Sequence, residues 1–223
     1  MKTSYFFKHL TGTIVFLSLL FISAGRIDYR PGWIYGFIGL IMFVLNYTVL
    51  RIDPELLKER SKPLQDVKKW DKQILGISFL LTLFMYVTAG LDSGRYQWSP
   101  EFPVSLILSG ILLTITGQLL FLIAQKQNKF FSSTVRIQAD RNHAVCDTGL
   151  YKFVRHPAYL GSVIQALGFP LLFGSLWSII PVSLLIILFI IRTHLEDKIL
   201  INELKDYREY ADKTRYRIFP GAW

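Results

Sequence analysis

RHPAYLGSVIQALGFPLLFGSLWSIIPVSLLIILFIIRTHLED, residues 155–197, is the stretch that sets the fold. Between His156 and Arg192 no side chain carries a charge. A bilayer core takes roughly 17–25 apolar residues as one helix, so the stretch is too long for a single crossing, and Gly174-Ser175 divides it. A turn so short forces the two halves, 158–174 and 176–191, into an antiparallel helical hairpin. Arg155-His156-Pro157 precedes the first arm and Glu196-Asp197 follows the second, which brings both polar clusters to one side of the membrane.

Blocks 10–24, 33–50, 74–91 and 104–124 are also nearly free of charge. Together with the hairpin they predict an all-α, polytopic membrane bundle of about six transmembrane helices. The chain of 223 residues is 52% hydrophobic and only 18% charged, against about 25% in soluble domains. Its net charge of +9 could suggest nucleic acid, but the distribution argues otherwise. Every Lys and Arg except Arg26, Arg30 and Arg95 falls on one set of loops or on the termini. That asymmetry predicts a multi-pass protein with both termini cytoplasmic, and a basic face toward membrane lipids rather than nucleic acid. Lys2, Lys8 and Ser23-Ala24-Gly25 also fit a cleavable leader, and residues 10–24 are read here as a retained span.

Two regions emerge. Residues 1–125 hold the N-terminal spans and a charged loop at 51–73. In that loop Asp53-Pro54-Glu55 reads as a helix start, opening an amphipathic helix through Arg60. Gly32 and Gly36 have the small-xxx-small spacing of close helix packing, and the outer loop 92–103 carries no evident chemistry. Residues 126–223 hold a long polar loop, the hairpin and a C-terminal helix. Cys146 is the sole cysteine, and the four histidines lack metal-ligand spacing. Asn46 and Gln118 are the strongest polar intrusions into the spans. A transporter would place ionisable residues there.

The chemistry gathers at 149–161 and 192–210. A residue before proline is pushed out of helical geometry, so His156 sits outside the helix that Pro157 opens. The amides of Ala158, Tyr159 and Leu160 then form an anion-binding helix start, to which Arg155 and His156 add donors. Tyr151 and Tyr159 add aromatic surface, and Gly149 and Gly161 permit close approach. Beyond the second arm, Arg192, Glu196, Glu203, Tyr207 and Tyr210 fall on one helical stripe roughly 80° wide, with Asp197 beside it. Carboxylates and aromatic rings suit an ammonium or a sulfonium. The plainer reading of Arg192 and Glu196 is an i,i+4 ion pair. An anion site facing a cation site suits a zwitterionic amino acid moiety.

Two runs resemble the signatures of the isoprenylcysteine carboxyl methyltransferase and phospholipid methyltransferase family, and span about a quarter of the chain. One is Gly149, Tyr151, Val154, Arg155-His156-Pro157, Tyr159 and Gly161. The other is Arg192, Glu196-Asp197, Leu200, Tyr207, Tyr210 and Pro220. Leu150 stands where that family usually has proline, and Asp197 where it usually has a second glutamate. The resemblance implies S-adenosyl-L-methionine as cofactor, bound at a cytoplasmic site. It implies cofactor contacts at Gly149, Tyr151, Arg155, His156, Tyr159, Gly161, Glu196 and Asp197. The implied acceptor is a lipid or a prenylated molecule or peptide, entering between helices. Arg192 is the candidate to hold an anionic acceptor, and His156 or Glu196 the candidate to assist an amine. Carboxylate O-methylation is the leading expectation. Phospholipid N-methylation, a sterol-reductase-like NADPH enzyme and a transporter or sensor are the alternatives, and the Glu196-Asp197 pair would repel a nicotinamide cofactor's phosphates.

Overall fold

The computed structural model describes residues 2–48, 56 and 67–223. The helix expected to start at Asp53 therefore lies outside the described residues, apart from Leu56. Helix α1 spans Lys2–Ala24, α2 Arg30–Thr48, α3 Lys69–Ala89, α4 Val104–Gln127, α5 Pro157–Phe173, α6 Ile179–Glu203 and α7 Tyr207–Lys213. Among the described residues there is no strand. Four helices have the length and composition of membrane spans: Arg30–Thr48, Lys69–Tyr96, Val104–Gln127 and Ile179–Glu203. The apolar helices Leu10–Ala24 and Pro157–Phe173 are shorter. At 1.5 Å per residue, 17 residues reach about 26 Å, slightly less than the hydrocarbon core.

Helices α4 and α5 lie along each other so closely that glycine is required at the crossing. A Cβ on Gly110 would meet the backbone of Leu171 and Leu172, and one on Gly117 the backbone of Gly161 and Gln165. From the other side, a Cβ on Gly161 would meet the Gly117 carbonyl at 2.6 Å, and one on Gly168 the Gly110 carbonyl at 2.7 Å. The seven-residue spacing within each helix repeats one face every second turn. Gly32 and Gly36 lean on Phe21 and Leu17 of α1, in keeping with their spacing, whereas Gly39 faces open space. Tyr29, Tyr35, Tyr86, Phe169 and Phe173 form an aromatic centre between the helices.

The end of the bundle opposite the polar clusters is better organised than its sequence suggests. α3 runs on as a π-helical turn, Gly90–Tyr96, where a plain loop was expected from residue 92. Asp92 in that turn is fully buried. It accepts the Ser99 amide at 2.7 Å, the Ser99 hydroxyl at 2.6 Å, the Ser175 hydroxyl at 2.6 Å and the Trp177 amide at 3.3 Å. One carboxylate thus caps the α5–α6 turn and ties it to α3. Tyr96, Trp98 and Trp177 cluster around it, at the level where interfacial aromatics sit.

Candidate functional site

His156 takes φ −128° and ψ 63°, outside helical geometry, and Pro157 opens α5. The anion-binding helix start expected there is only partly available. The Tyr159 and Leu160 amides both return to the His156 carbonyl, at 3.1 and 3.2 Å, because the first turn closes on itself.

Arg155 is inside a clamp. Only 7% exposed, it donates from Nε and Nη2 to Asp197 Oδ1 and Oδ2 at 2.8 and 2.9 Å. Its Nη1 donates to the carbonyls of Thr214 and Arg215, each at 2.9 Å. Asp197, 1% exposed, also receives Arg217 Nε at 2.8 Å, Tyr207 Oη at 3.0 Å and His156 Nε2 at 3.2 Å. The backbone closes the same joint: the Arg155 and His156 amides donate to the Tyr216 and Arg217 carbonyls, both at 2.9 Å. A buried carboxylate facing two guanidiniums needs this many donors to offset its desolvation. Burial, with Asp197 beside it, raises the Tyr207 hydroxyl well above its usual range, so it stays a donor.

The stripe expected along one helix is broken. α6 ends at Glu203, Asp206 adopts a left-handed φ of 64°, and α7 starts afresh at Tyr207. Tyr207 and Tyr210 reach the cluster through that turn. Tyr210 donates to the Tyr151 carbonyl at 2.6 Å. Glu203 instead pairs with Lys68 at 3.1 Å.

In front of the clamp opens a cleft of ≈ 290 Å³, walled by α5, α6 and the segment 130–137. Of the residues expected at the site, Tyr151, Arg155, His156, Tyr159, Arg192 and Glu196 line it. Tyr159 Oη donates to Glu196 Oε2 at 2.8 Å. Arg192 lies 5.7 Å from the Tyr159 ring centre. It makes no ion pair with Glu196; its partner is Asp71 of α3, with Nε to Oδ1 at 2.7 Å. Nη2 reaches Asp71 Oδ2 at 3.4 Å and the Ser133 carbonyl at 2.9 Å.

Three expected contacts stand elsewhere. Asp197 is behind the wall, in the clamp. Gly161 is in the α4–α5 crossing. Gly149 makes a left-handed turn with φ +59°, and a Cβ there would strike the Gln127 side chain. Leu150 beside it donates its amide to Gln127 Oε1 at 2.9 Å; proline has no amide to give. Sequence reasoning missed Asp71, Arg217 and His143. The available signal for Asp71 was an acid at the mouth of one apolar block, matching Arg192 at the mouth of another.

Residues 109–202 match the isoprenylcysteine carboxyl methyltransferase (ICMT) family. The protein-S-isoprenylcysteine O-methyltransferase of Schizosaccharomyces pombe is 27% identical over 204 residues, 83% of this chain and 82% of that protein. This chain is similar to the ICMT family over residues 109–202. The Saccharomyces cerevisiae protein-S-isoprenylcysteine O-methyltransferase is 35% identical over 113 residues, 47% of this chain and 45% of that protein. A probable protein-S-isoprenylcysteine O-methyltransferase from Oryza sativa subsp. indica is 24% identical over 108 residues, 56% of its length. The match thus spans about half the length of the budding-yeast and rice relatives. The ICMT family match runs from α4 into α6. It includes the hairpin, Arg155, Tyr159, Arg192, Glu196 and Asp197, and leaves Asp71 and Arg217 outside. Among the described residues, four helices are long and apolar enough to cross a membrane.

Proposed function

We propose that this chain transfers a methyl group from S-adenosyl-L-methionine to a lipid-like acceptor, a carboxylate of the isoprenylcysteine type. The observation that carries this reading is the juxtaposition of Glu196, Tyr159 and Arg192 in one cleft at the end of an apolar hairpin. Similarity to the ICMT family and the names of the relatives support it.

The donor set fits the cofactor. Glu196 Oε1 accepts no hydrogen bond among the described residues, which leaves it for an ammonium, and the Tyr159 and Tyr151 rings suit a sulfonium and a purine. When bound, S-adenosyl-L-methionine supplies an electrophilic methyl group that a carboxylate oxygen takes directly. Such an acceptor is already ionised near neutral pH, so the protein has no proton to remove. Its work is alignment and exclusion of water. Arg192 keeps Nη1 free of hydrogen bonds among the described residues and would orient the acceptor carboxylate. His156, held against Asp197, supports the wall. In this reading six helices cross the membrane, both termini are cytoplasmic, and residues 126–223 carry the chemistry on a scaffold made by 1–125.

The test is methyl transfer from labelled S-adenosyl-L-methionine to a prenylated cysteine by purified protein, with Glu196→Gln and Arg192→Ala beside it. Base-labile label on the acceptor, formed only by the parent chain, supports the reading. Base-stable label moves the acceptor to an amine. No label and no cofactor binding overturns the proposal.

A further inference from the structure

The two strongest polar intrusions in the spans, Asn46 of α2 and Gln118 of α4, line one cavity of ≈ 340 Å³ with Gln165 of α5. The candidate site uses none of the three. No described residue lining the cavity is charged, and the rest of the described wall is mainly apolar and aromatic. Asn46 is 5% exposed, and its Oδ1 is buried with no hydrogen-bond partner among the described residues. Tyr35, also on the wall, receives the Tyr86 hydroxyl at 2.9 Å. Gly12 and Gly39 also line the cavity, and a Cβ at either would meet nothing within 4 Å among the described residues.

An amide oxygen buried in a membrane without a donor is costly, because no bulk water reaches it. Amide side chains that bond across helices serve as packing glue, as Gln165 does with Tyr35; the buried Asn46 oxygen has no such partner among the described residues, and a ligand supplies one. Its head must donate a hydrogen bond to Asn46 Oδ1. A neutral head fits, since no described residue on the wall compensates a charge. Its body must be apolar to cover the aromatic and aliphatic wall. We infer that the cavity between α1, α2, α4 and α5 binds an uncharged single-chain lipid bearing a hydroxyl donor, with that hydroxyl on Asn46.

The test uses the full chain in detergent, titrated with hexadecan-1-ol and with hexadecyl methyl ether, and native mass spectrometry to count bound molecules. The two probes share a chain and differ in the donor. The alcohol is expected to bind about tenfold tighter, the worth of a hydrogen bond to an otherwise unsatisfied group. Asn46→Ala should bring that ratio close to one. Gly39→Leu, and independently Gly12→Leu, should weaken both probes by filling the void, with unfolding curves confirming that the variants fold. Equal affinity for alcohol and ether in the parent chain overturns the inference and leaves a cavity holding water or hydrocarbon only. A preference for the alcohol that survives Asn46→Ala, or tight binding that survives both filling variants, overturns it equally.

Discussion

Arg192 of α6 and Asp71 of α3 meet at 2.7 Å across a sequence separation of 121. The carboxylate is fully buried and also receives the Val135 amide at 2.8 Å. One acid therefore holds both the guanidinium in the cleft and the segment that walls it. Removing one partner of a buried pair costs about 3–5 kcal/mol, because the other charge is stranded. Asp71→Ala is expected to lower the thermal midpoint sharply in detergent and to loosen residues 130–137 to protease. Asp71→Asn, which keeps an acceptor, should cost less. An unchanged midpoint in Asp71→Ala would remove the pair from the fold's support.

Glu196 and Asp197 are sequence neighbours with separate tasks. Glu196→Gln keeps shape and a hydrogen-bond acceptor for Tyr159, so stability should change by less than about 1 kcal/mol. In the proposed reading, calorimetry should show S-adenosyl-L-methionine binding weakened at least about tenfold by the lost charge. Asp197→Asn should do the reverse in emphasis, with a large fall in stability as Arg155 and Arg217 lose their counter-charge. If both variants lost stability alike, the division of labour would fail.

At the α4–α5 crossing, Gly117→Ala adds one methyl where the backbone of Gly161 and Gln165 already stands. Overpacking of this kind costs about 1–3 kcal/mol. Gly39→Ala, facing open space, should be nearly neutral in the same unfolding assay.

His143 lines the cleft, and burial, with Arg136 and Arg141 nearby, lowers its pKa from 6.5 to about 4. Its Nδ1 accepts the Gln138 amide at 3.3 Å, a bond that protonation would break. Between pH 6.5 and about 4 the unfolded chain binds the proton and the folded chain does not. Stability should therefore fall as pH drops through that window and level off below it. His143→Asn should flatten this part of the stability profile; a profile identical to the parent's would rule the histidine out as its source.

The hairpin was legible because a charge-free run broken by Gly174-Ser175 admits one topology. The convergence of Tyr159 and Glu196 followed from it, since both stand at the open end of the arms. What periodicity could not supply were contacts made across the chain. Asp71 reaches Arg192 from another helix, Arg217 returns to Asp197 along the tail, and Asp92 serves a turn more than eighty residues away. The stripe from Arg192 to Tyr210 failed at a local event, the left-handed Asp206, where a short polar turn interrupts an otherwise good helical pattern. Gly161 shows the other limit: close approach was foreseen, but a glycine does not announce whether a ligand or a helix comes near.

The hairpin is fastened at both ends, by Asp92 at its closed turn and by the Arg155–Asp197 joint at its open mouth. Its arms behave as a fixed frame, since sliding one past the other by a helical turn would break the bonds at both fastenings together. Access to the cleft must then come from the third wall, the irregular backbone of residues 130–137, whose moorings to Asp71 and Arg192 are few and side-chain-borne. Any opening of the cleft would fall to this least regular segment, because the two helices beside it are pinned to each other at both ends.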